Sequence, residues 1–236
     1  MIDIHSHILP GIDDGAETLE NGVELARELA AQGVTDIIAT PHFIDETIYA
    51  SPKRENLKLL DDLRQELSRE NVEVNVYLGN ELYINKKIDE MIVFNRVSSL
   101  NDSQYLLIEL PMSGEYPGYE DVFKDLMNAN YKVVLAHPER YTAAQEDFSV
   151  LERLHEMGVL LQCNTGSFVK HYGKHAEKVA VRLAKEKMIF ALGSDIHHAR
   201  GGNEITLALK KLRKYYTEDE LEEILDKNPR TIIERQ

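Results

Sequence analysis

The sequence predicts a parallel α/β fold, specifically an irregular (β/α)7 barrel of the TIM type. Seven short apolar, β-branched runs alternate with longer stretches of helical period. Several of the runs, such as Ile37-Ile38-Ala39 and Val133-Val134-Leu135-Ala136, are almost continuously hydrophobic, as strands buried on both faces are. At 236 residues the chain fits one such barrel, so residues 1–236 are read as a single domain. A doubly wound open sheet is the alternative, but the glycine-rich phosphate fingerprints of that class are absent.

The expected strands are Ile2–His5, Val34–Thr40, Val72–Leu78, Tyr105–Leu110, Lys132–Ala136, Gly158–Cys163 and Met188–Leu192. Between the first pairs, Leu19, Val23, Ala26, Leu29 and Ala30 fall on one helical face, as do Leu57, Leu60, Leu63 and Leu67 after Ser51-Pro52. Helices are also expected over Tyr119–Asn130, over a stretch carrying Val150, Leu151 and Leu154 and ending near Gly158, over Lys174–Lys187, and over Asn203–Arg235.

Bulk composition narrows the function. Lys and Arg total 27 against 41 Asp and Glu, a formal charge of −14. Such a surface repels a phosphate backbone, which argues against a nucleic-acid partner and against a peripheral protein on anionic lipid. No stretch approaches the ~20 apolar residues of a membrane span, so an integral membrane protein is not expected. Met1-Ile2-Asp3-Ile4-His5 does not read as a secretion signal, and the single Cys163 excludes an intrachain disulfide. Both suit a cytoplasmic protein.

The informative fact is where the metal-type residues fall. Barrel active sites are built at the C-terminal ends of the strands. Strand one ends in His5-Ser6-His7 and strand two in Thr40-Pro41-His42. Strand three runs into Gly79-Asn80-Glu81, strand four ends with Glu109, strand five with His137-Pro138-Glu139-Arg140, and strand seven with Ser194-Asp195-Ile196-His197. Asp13 and Asp14 follow strand one closely enough to join them. Singly, each has a structural explanation. His5 and His7 could be a hydrogen-bonded core pair, and Asp14-Gly15-Ala16-Glu17 a capping box. Glu81 and Glu109 could be solvated strand ends, His42 and His137 satisfied buried imidazoles, and Asp195 a helix cap. His155, His171, His175 and His198 show no convergence and are read as surface or supporting residues. Jointly, so many carboxylates beside five imidazoles need positive charge. No comparable set of Lys or Arg accompanies them, and divalent metal supplies it. Nitrogen and oxygen donors without thiolate suit Mn, Fe, Zn or Mg. The candidates are too many for one ion, and a bridging carboxylate such as Glu81 could link two.

These motifs, in this order and across nearly the whole chain, resemble the PHP (polymerase and histidinol phosphatase) superfamily. The closer resemblance is to the bacterial metal-dependent protein-tyrosine phosphatases of capsule and exopolysaccharide loci. The segments that carry it are Met-Ile-Asp-Ile-His-Ser-His-Ile at the N-terminus, Asp-Asp-Gly at 13–15, Ile-Ile-Ala-Thr-Pro-His ending at His42, Gly-Asn-Glu at 79–81, Leu-Ile-Glu ending at Glu109, Ala-His-Pro-Glu-Arg at 136–140, Gly-Ser-Asp-Ile-His at 193–197 and Asn-Pro-Arg at 228–230. The resemblance implies a PHP-type barrel with three metal ions, Mn first among the choices. It implies that His5, His7, Glu81 and Asp195 serve one ion, Glu81, Glu109 and His137 a second, and Asp14, His42 and His197 a third. Arg140 matches an arginine that grips phosphate, and Arg200 is the nearest match to a second, across a shorter loop. The implied substrate is phosphotyrosine on a tyrosine autokinase that regulates polysaccharide export.

Phosphatases with a cysteine nucleophile carry an arginine six residues later. Here Val169 stands six residues after Cys163, so the cysteine is expected to be inert. Two other readings stay open: a small-molecule phosphoesterase such as a histidinol-phosphate phosphatase, and a non-catalytic metal-binding scaffold.

Overall fold

Ile2–Ser6 forms β1, and every residue of it is buried. The structure is a computed structural model describing residues 1–114 and 116–234. Arg235, the end of the expected C-terminal helix, lies outside them. After β1 come α1 (Leu19–Ala31), β2 (Asp36–Ala39), β3 (His42–Phe43), α2 (Lys53–Arg69), β4 (Asn75–Leu78), β5 (Glu81–Tyr83), α3 (Ile88–Val93) and β6 (Tyr105–Glu109). The second half holds α4 (Tyr119–Asn128), β7 (Lys132–Ala136), α5 (Thr142–Glu146), α6 (Ser149–Glu156), β8 (Leu160–Asn164), α7 (Gly173–Lys185), β9 (Ile189–Gly193), α8 (Glu204–Leu212), α9 (Glu218–Glu222) and α10 (Asn228–Ile233).

All strand pairs are parallel. They run β1-β2-β4 in one sheet and β3-β5-β6-β7-β8-β9 in the other. Among the described residues, seven of the nine strands occupy the seven expected positions, and β3 and β5 follow the second and third of them. Pro41, with no N–H to give a ladder, separates β2 from β3, and Gly79-Asn80 separates β4 from β5. Pairing nevertheless continues across both breaks, through Gly79 N to Ala39 O at 2.8 Å and Glu81 N to Pro41 O at 3.2 Å. The last position returns to the first: Asp195 N donates to His5 O at 2.9 Å, and His7 N to Ile196 O at 3.1 Å. The fold is thus the expected parallel α/β arrangement of barrel type.

Side-chain alternation sets the layers. Leu106 and Ile108 of β6 pack outward with Phe123, Leu126 and Leu151 beneath the helices. Leu107 joins Ile2, Ile4, Ile38, Val134, Ala136 and Ala191 in a small cluster of its own, with Leu100 and Ile232 packed into it. Between Asp3 and Ser6, two residues of β1, Ile4 and His5, oppose one of β2, Ile38, a β-bulge. A bulge resets which way successive side chains point. Ile2 and Ile4 both join the inner cluster, while His5 and His7, on the alternate positions, meet Glu81 and Asp195.

Three expectations are corrected. Leu57 is not on the core face of α2 but is 40% exposed, while Leu60, Leu63 and Leu67 are buried. The helix after Asp14 does not begin there: Thr18 caps α1, its hydroxyl accepting from Asn21 N. The C-terminal stretch is not one helix. It stops after Leu212 and restarts at Thr217 with a capping box to Glu220. It then passes through a π turn at Glu223–Lys227 ahead of Pro229, which cannot donate to an α-helical ladder. Among the described residues, no helix is long and apolar enough to cross a membrane.

Candidate metal centre

All nine sequence-nominated ligands gather at one rim. His5 lies within the β1 bulge and His7 just beyond it. The Asp13-Asp14-Gly15 turn folds back onto them so closely that a Cβ at Gly15 would lie 2.2 Å from His7 O. His42 opens β3, Glu81 opens β5, and Glu109 closes β6. His137 follows β7 and Asp195 follows β9, both in left-handed backbone at φ 31° and 52°. Such strain in non-glycine residues persists only where the surroundings dictate it.

Hydrogen bonds fix the imidazoles. Gln162 donates its Nε2 to Asn164 Oδ1 at 2.9 Å, which leaves its Oε1 to accept from His5 Nδ1, also at 2.9 Å. Asp13 Oδ2 accepts from His7 Nδ1 at 2.8 Å. With both Nδ1 atoms donating, both Nε2 atoms present lone pairs. These nitrogens stand 3.1 Å apart. Glu81 Oε2 lies 3.2 and 3.4 Å from them, and Asp195 Oδ1 3.5 and 3.4 Å. When the imidazoles are neutral, these four atoms are all acceptors. An ion with bonds of about 2.1 Å would set tetrahedral ligands about 3.4 Å apart; the two imidazoles stand at about that spacing from each other and from each carboxylate, with Glu81 and Asp195 flanking the pair. Glu81 Oε2 and His42 Nδ1, 2.9 Å apart, are buried without a hydrogen bond. The residues fit a divalent cation.

The remaining ligands extend the cluster. His137 Nε2 lies 2.8 Å from Glu81 Oε1 and 3.7 Å from Glu109 Oε1. Asp14 Oδ1 lies 3.5 Å from His42 Nε2 and 3.3 Å from His197 Nε2. Ligand-atom proximity forms three groups: His5, His7 and Glu81; His42, Glu81 and Glu109; and His7, Asp14, His42 and His197. Glu81 is common to two of them, as a bridging carboxylate would be. His42 reaches both Glu81 and Asp14, a double proximity the sequence did not indicate.

Electrostatics describe the same crowding. Burial would lower the His5 imidazole, but Glu81 and Asp195 outweigh it and raise it to about 9. Burial and the neighbouring Glu81 push Glu109 up to about 8. Against burial, the surrounding imidazoles hold Glu81 and Asp195 well below the usual carboxylate range.

Arg140 leans over the cluster, its Nη1 donating to Asp195 Oδ2 at 2.7 Å. Arg200 lies behind, donating to Glu204 Oε1 at 2.8 Å and to Asp195 O at 3.3 Å. His155, His171, His175 and His198 are exposed and outside the cluster. Sequence reasoning missed Gln162, Asn164 and Tyr172, which sit on β8 and its following loop. Asn164 Nδ2 and the Tyr172 hydroxyl both donate to Asp195 Oδ2, at 2.7 and 3.1 Å. Their signal was slight, a pair of amides two apart on a strand otherwise read as core. Asp13, expected with Asp14 to join the rim, does so by orienting His7. Cys163 is fully buried on the outward face of β8, and burial holds its thiol far above its usual range.

Comparison with known proteins places this arrangement. Residues 1–234 match the family model of capsular polysaccharide synthesis proteins CpsB/CapC. The chain is 35% identical over 238 residues to the tyrosine-protein phosphatase YwqE of Bacillus subtilis, covering 100% of this chain and 92% of that protein. It superposes with a TM-score of 0.87 and 32% identity on a chain from the crystal structures of YwqE from B. subtilis and CpsB from Streptococcus pneumoniae, described as metal-dependent tyrosine phosphatases. That match covers 99% of this chain and 94% of the other. Histidinol phosphate phosphatase of Lactococcus lactis, at 17% identity and a TM-score of 0.58 over 91% of this chain and 93% of that one, shares the fold.

Proposed function

The chain belongs to the CpsB/CapC family of capsular polysaccharide synthesis, and from that premise we propose how its site works. The protein is a metal-dependent protein-tyrosine phosphatase, acting as one domain in the cytoplasm on phosphotyrosine of a tyrosine autokinase that controls capsular or exopolysaccharide synthesis. The observation that carries the reading is the buried pair of imidazoles His5 and His7, their Nε2 atoms 3.1 Å apart and flanked within 3.5 Å by the Glu81 and Asp195 carboxylates, a donor set that suits a cation.

His5, His7, Glu81 and Asp195 would hold one ion, Glu81, Glu109 and His137 a second, and Asp14, His42 and His197 a third, with Mn the proposed metal. Bound divalent ions supply Lewis acidity, which acidifies water and offsets phosphoryl charge. The protein's own residues do the rest. Asp13 and Gln162 hold the two imidazoles of β1 in the tautomer that offers Nε2. Arg140, 25% exposed and tied to Asp195 by one nitrogen, offers its other N–H groups to phosphoryl oxygens. Arg200, held by Glu204, adds positive field behind it. Buried Cys163 cannot reach a substrate, so water is the nucleophile. The departing phenol has a pKa of about 10 and leaves more readily than an alkyl alcohol.

The direct test of the substrate class compares manganese-loaded enzyme on a phosphotyrosine peptide and on histidinol phosphate. The peptide is expected to be turned over with at least a hundredfold higher kcat/KM. Preference for histidinol phosphate would replace this reading with a small-molecule phosphoesterase, and no turnover of either would favour a scaffold.

A further inference from the structure

We propose that Tyr172 is a positioning residue for the arginine that grips phosphate: its ring sets the plane of the Arg140 guanidinium, and its hydroxyl holds the carboxylate to which that guanidinium is hinged. The inference rests on the role given to Arg140 above.

Arg140 and Tyr172 come from different rim loops, after β7 and after β8, and meet only because the fold brings these loops side by side. The Arg140 guanidinium carbon stands 4.3 Å from the centre of the Tyr172 ring, inside the range of a cation–π contact. The same tyrosine donates its hydroxyl to Asp195 Oδ2 at 3.1 Å, the oxygen that receives Arg140 Nη1 at 2.7 Å and Asn164 Nδ2 at 2.7 Å. Three donors on Oδ2 leave Oδ1 as the oxygen nearest His5 and His7. The ring has little freedom to turn aside: a Cβ at Gly166 would lie 3.1 Å from its Cε2.

An arginine side chain has many rotamers, and a flexible clamp loses affinity when it must be ordered on binding. Stacking on Tyr172 removes that freedom beforehand. One face of the guanidinium is covered and Nη1 is bound to Asp195. Among the described residues, the other guanidinium N–H groups of Arg140 have no side-chain or backbone acceptor. Those are the groups a phosphoryl oxygen would engage. A lysine could neither stack in this way nor keep a second donor free in the same plane.

The test uses the manganese-loaded full chain and inorganic phosphate as probe. Phosphate affinity is read from competitive inhibition and calorimetry, and metal per chain by elemental analysis. Tyr172→Leu is expected to weaken phosphate about tenfold and to lower kcat/KM on a phosphotyrosine peptide at least as much, with metal content unchanged. Tyr172→Phe keeps the ring and should stay within about threefold of wild type. In an Arg140→Ala background, Tyr172→Leu should cost less than a further twofold, because the group it positions is gone. Tyr172→Met takes the place of a Leu variant that does not fold. Wild-type phosphate affinity in folded Tyr172→Leu overturns the proposal. So does a tenfold loss that persists without Arg140, and so does loss of metal. If Arg140→Ala itself binds phosphate like wild type, the reading of Arg140 falls and takes this one with it. If Arg140→Ala is weakened and Tyr172→Leu is not, only the role of Tyr172 falls.

Discussion

Arg140 separates binding of metal from binding of substrate. It donates to a proposed ligand, Asp195, and a guanidinium, cationic and without a lone pair to give, is not itself a metal ligand. Arg140→Ala should therefore leave metal content intact while kcat/KM on a phosphotyrosine peptide falls by roughly a hundredfold, the scale of one preorganised anion donor. Arg140→Lys should recover only part of the loss, since an ammonium cannot hold two oxygens in one plane. Elemental analysis beside steady-state kinetics checks this; a variant that loses metal with activity would make Arg140 a support of the ligand shell. At this scale the sequence was most informative. His, Asp and Glu at six strand ends are visible as a pattern because strand ends are visible. Gln162, Asn164 and Tyr172 were not, since amides and tyrosines are ordinary in a strand and a loop. Only contact with His5 or Asp195 distinguishes them.

Strands and turns bring the ligands to their places, and some positions tolerate no side chain. A Cβ at Gly193 would lie 2.6 Å from both His5 Cβ and Gln162 Nε2. Gly193→Ala must therefore push β9 off β1 or displace the amide that orients His5. The expected result is a loss of about 1–3 kcal/mol from overpacking, measured by denaturant unfolding, together with reduced metal per chain. Unchanged metal and stability would mean that the β1–β9 seam is looser than described. The helices and strands were largely legible from hydrophobic period. Their interruptions were less so, for identifiable reasons. Pro41 and Gly79 break strands that keep pairing on either side, and β3 and β5 are too short to show a period. The Thr217–Glu220 capping box marks a helix start within what read as one long helix. Leu57 satisfied the helical spacing but lies at the edge of the face, where it is exposed.

Across the molecule, protons and metal compete for one cluster, and that competition sets stability against pH. Glu109 is raised by burial and Glu81 from 4.5 to about 8. Its contribution to the metal-free fold is therefore complete below about pH 4.5 and lost as pH rises through 8. His5 is raised from 6.5 to about 9 by Glu81 and Asp195 against burial, so its contribution is complete below 6.5 and lost through 9. Both act in one direction. The melting-temperature gap between metal-loaded and metal-free protein should widen steadily from about pH 5 to 9, and a constant gap would contradict the cluster's electrostatics. The formal charge of −14 does not show this local accumulation of carboxylates. The measurement that bears most directly on the central claim is turnover of a phosphotyrosine peptide by protein stripped with a chelator and verified metal-free by elemental analysis, before and after manganese is returned. Activity should be absent from the stripped protein and restored as ions rebind; full activity in verified metal-free protein would contradict the account.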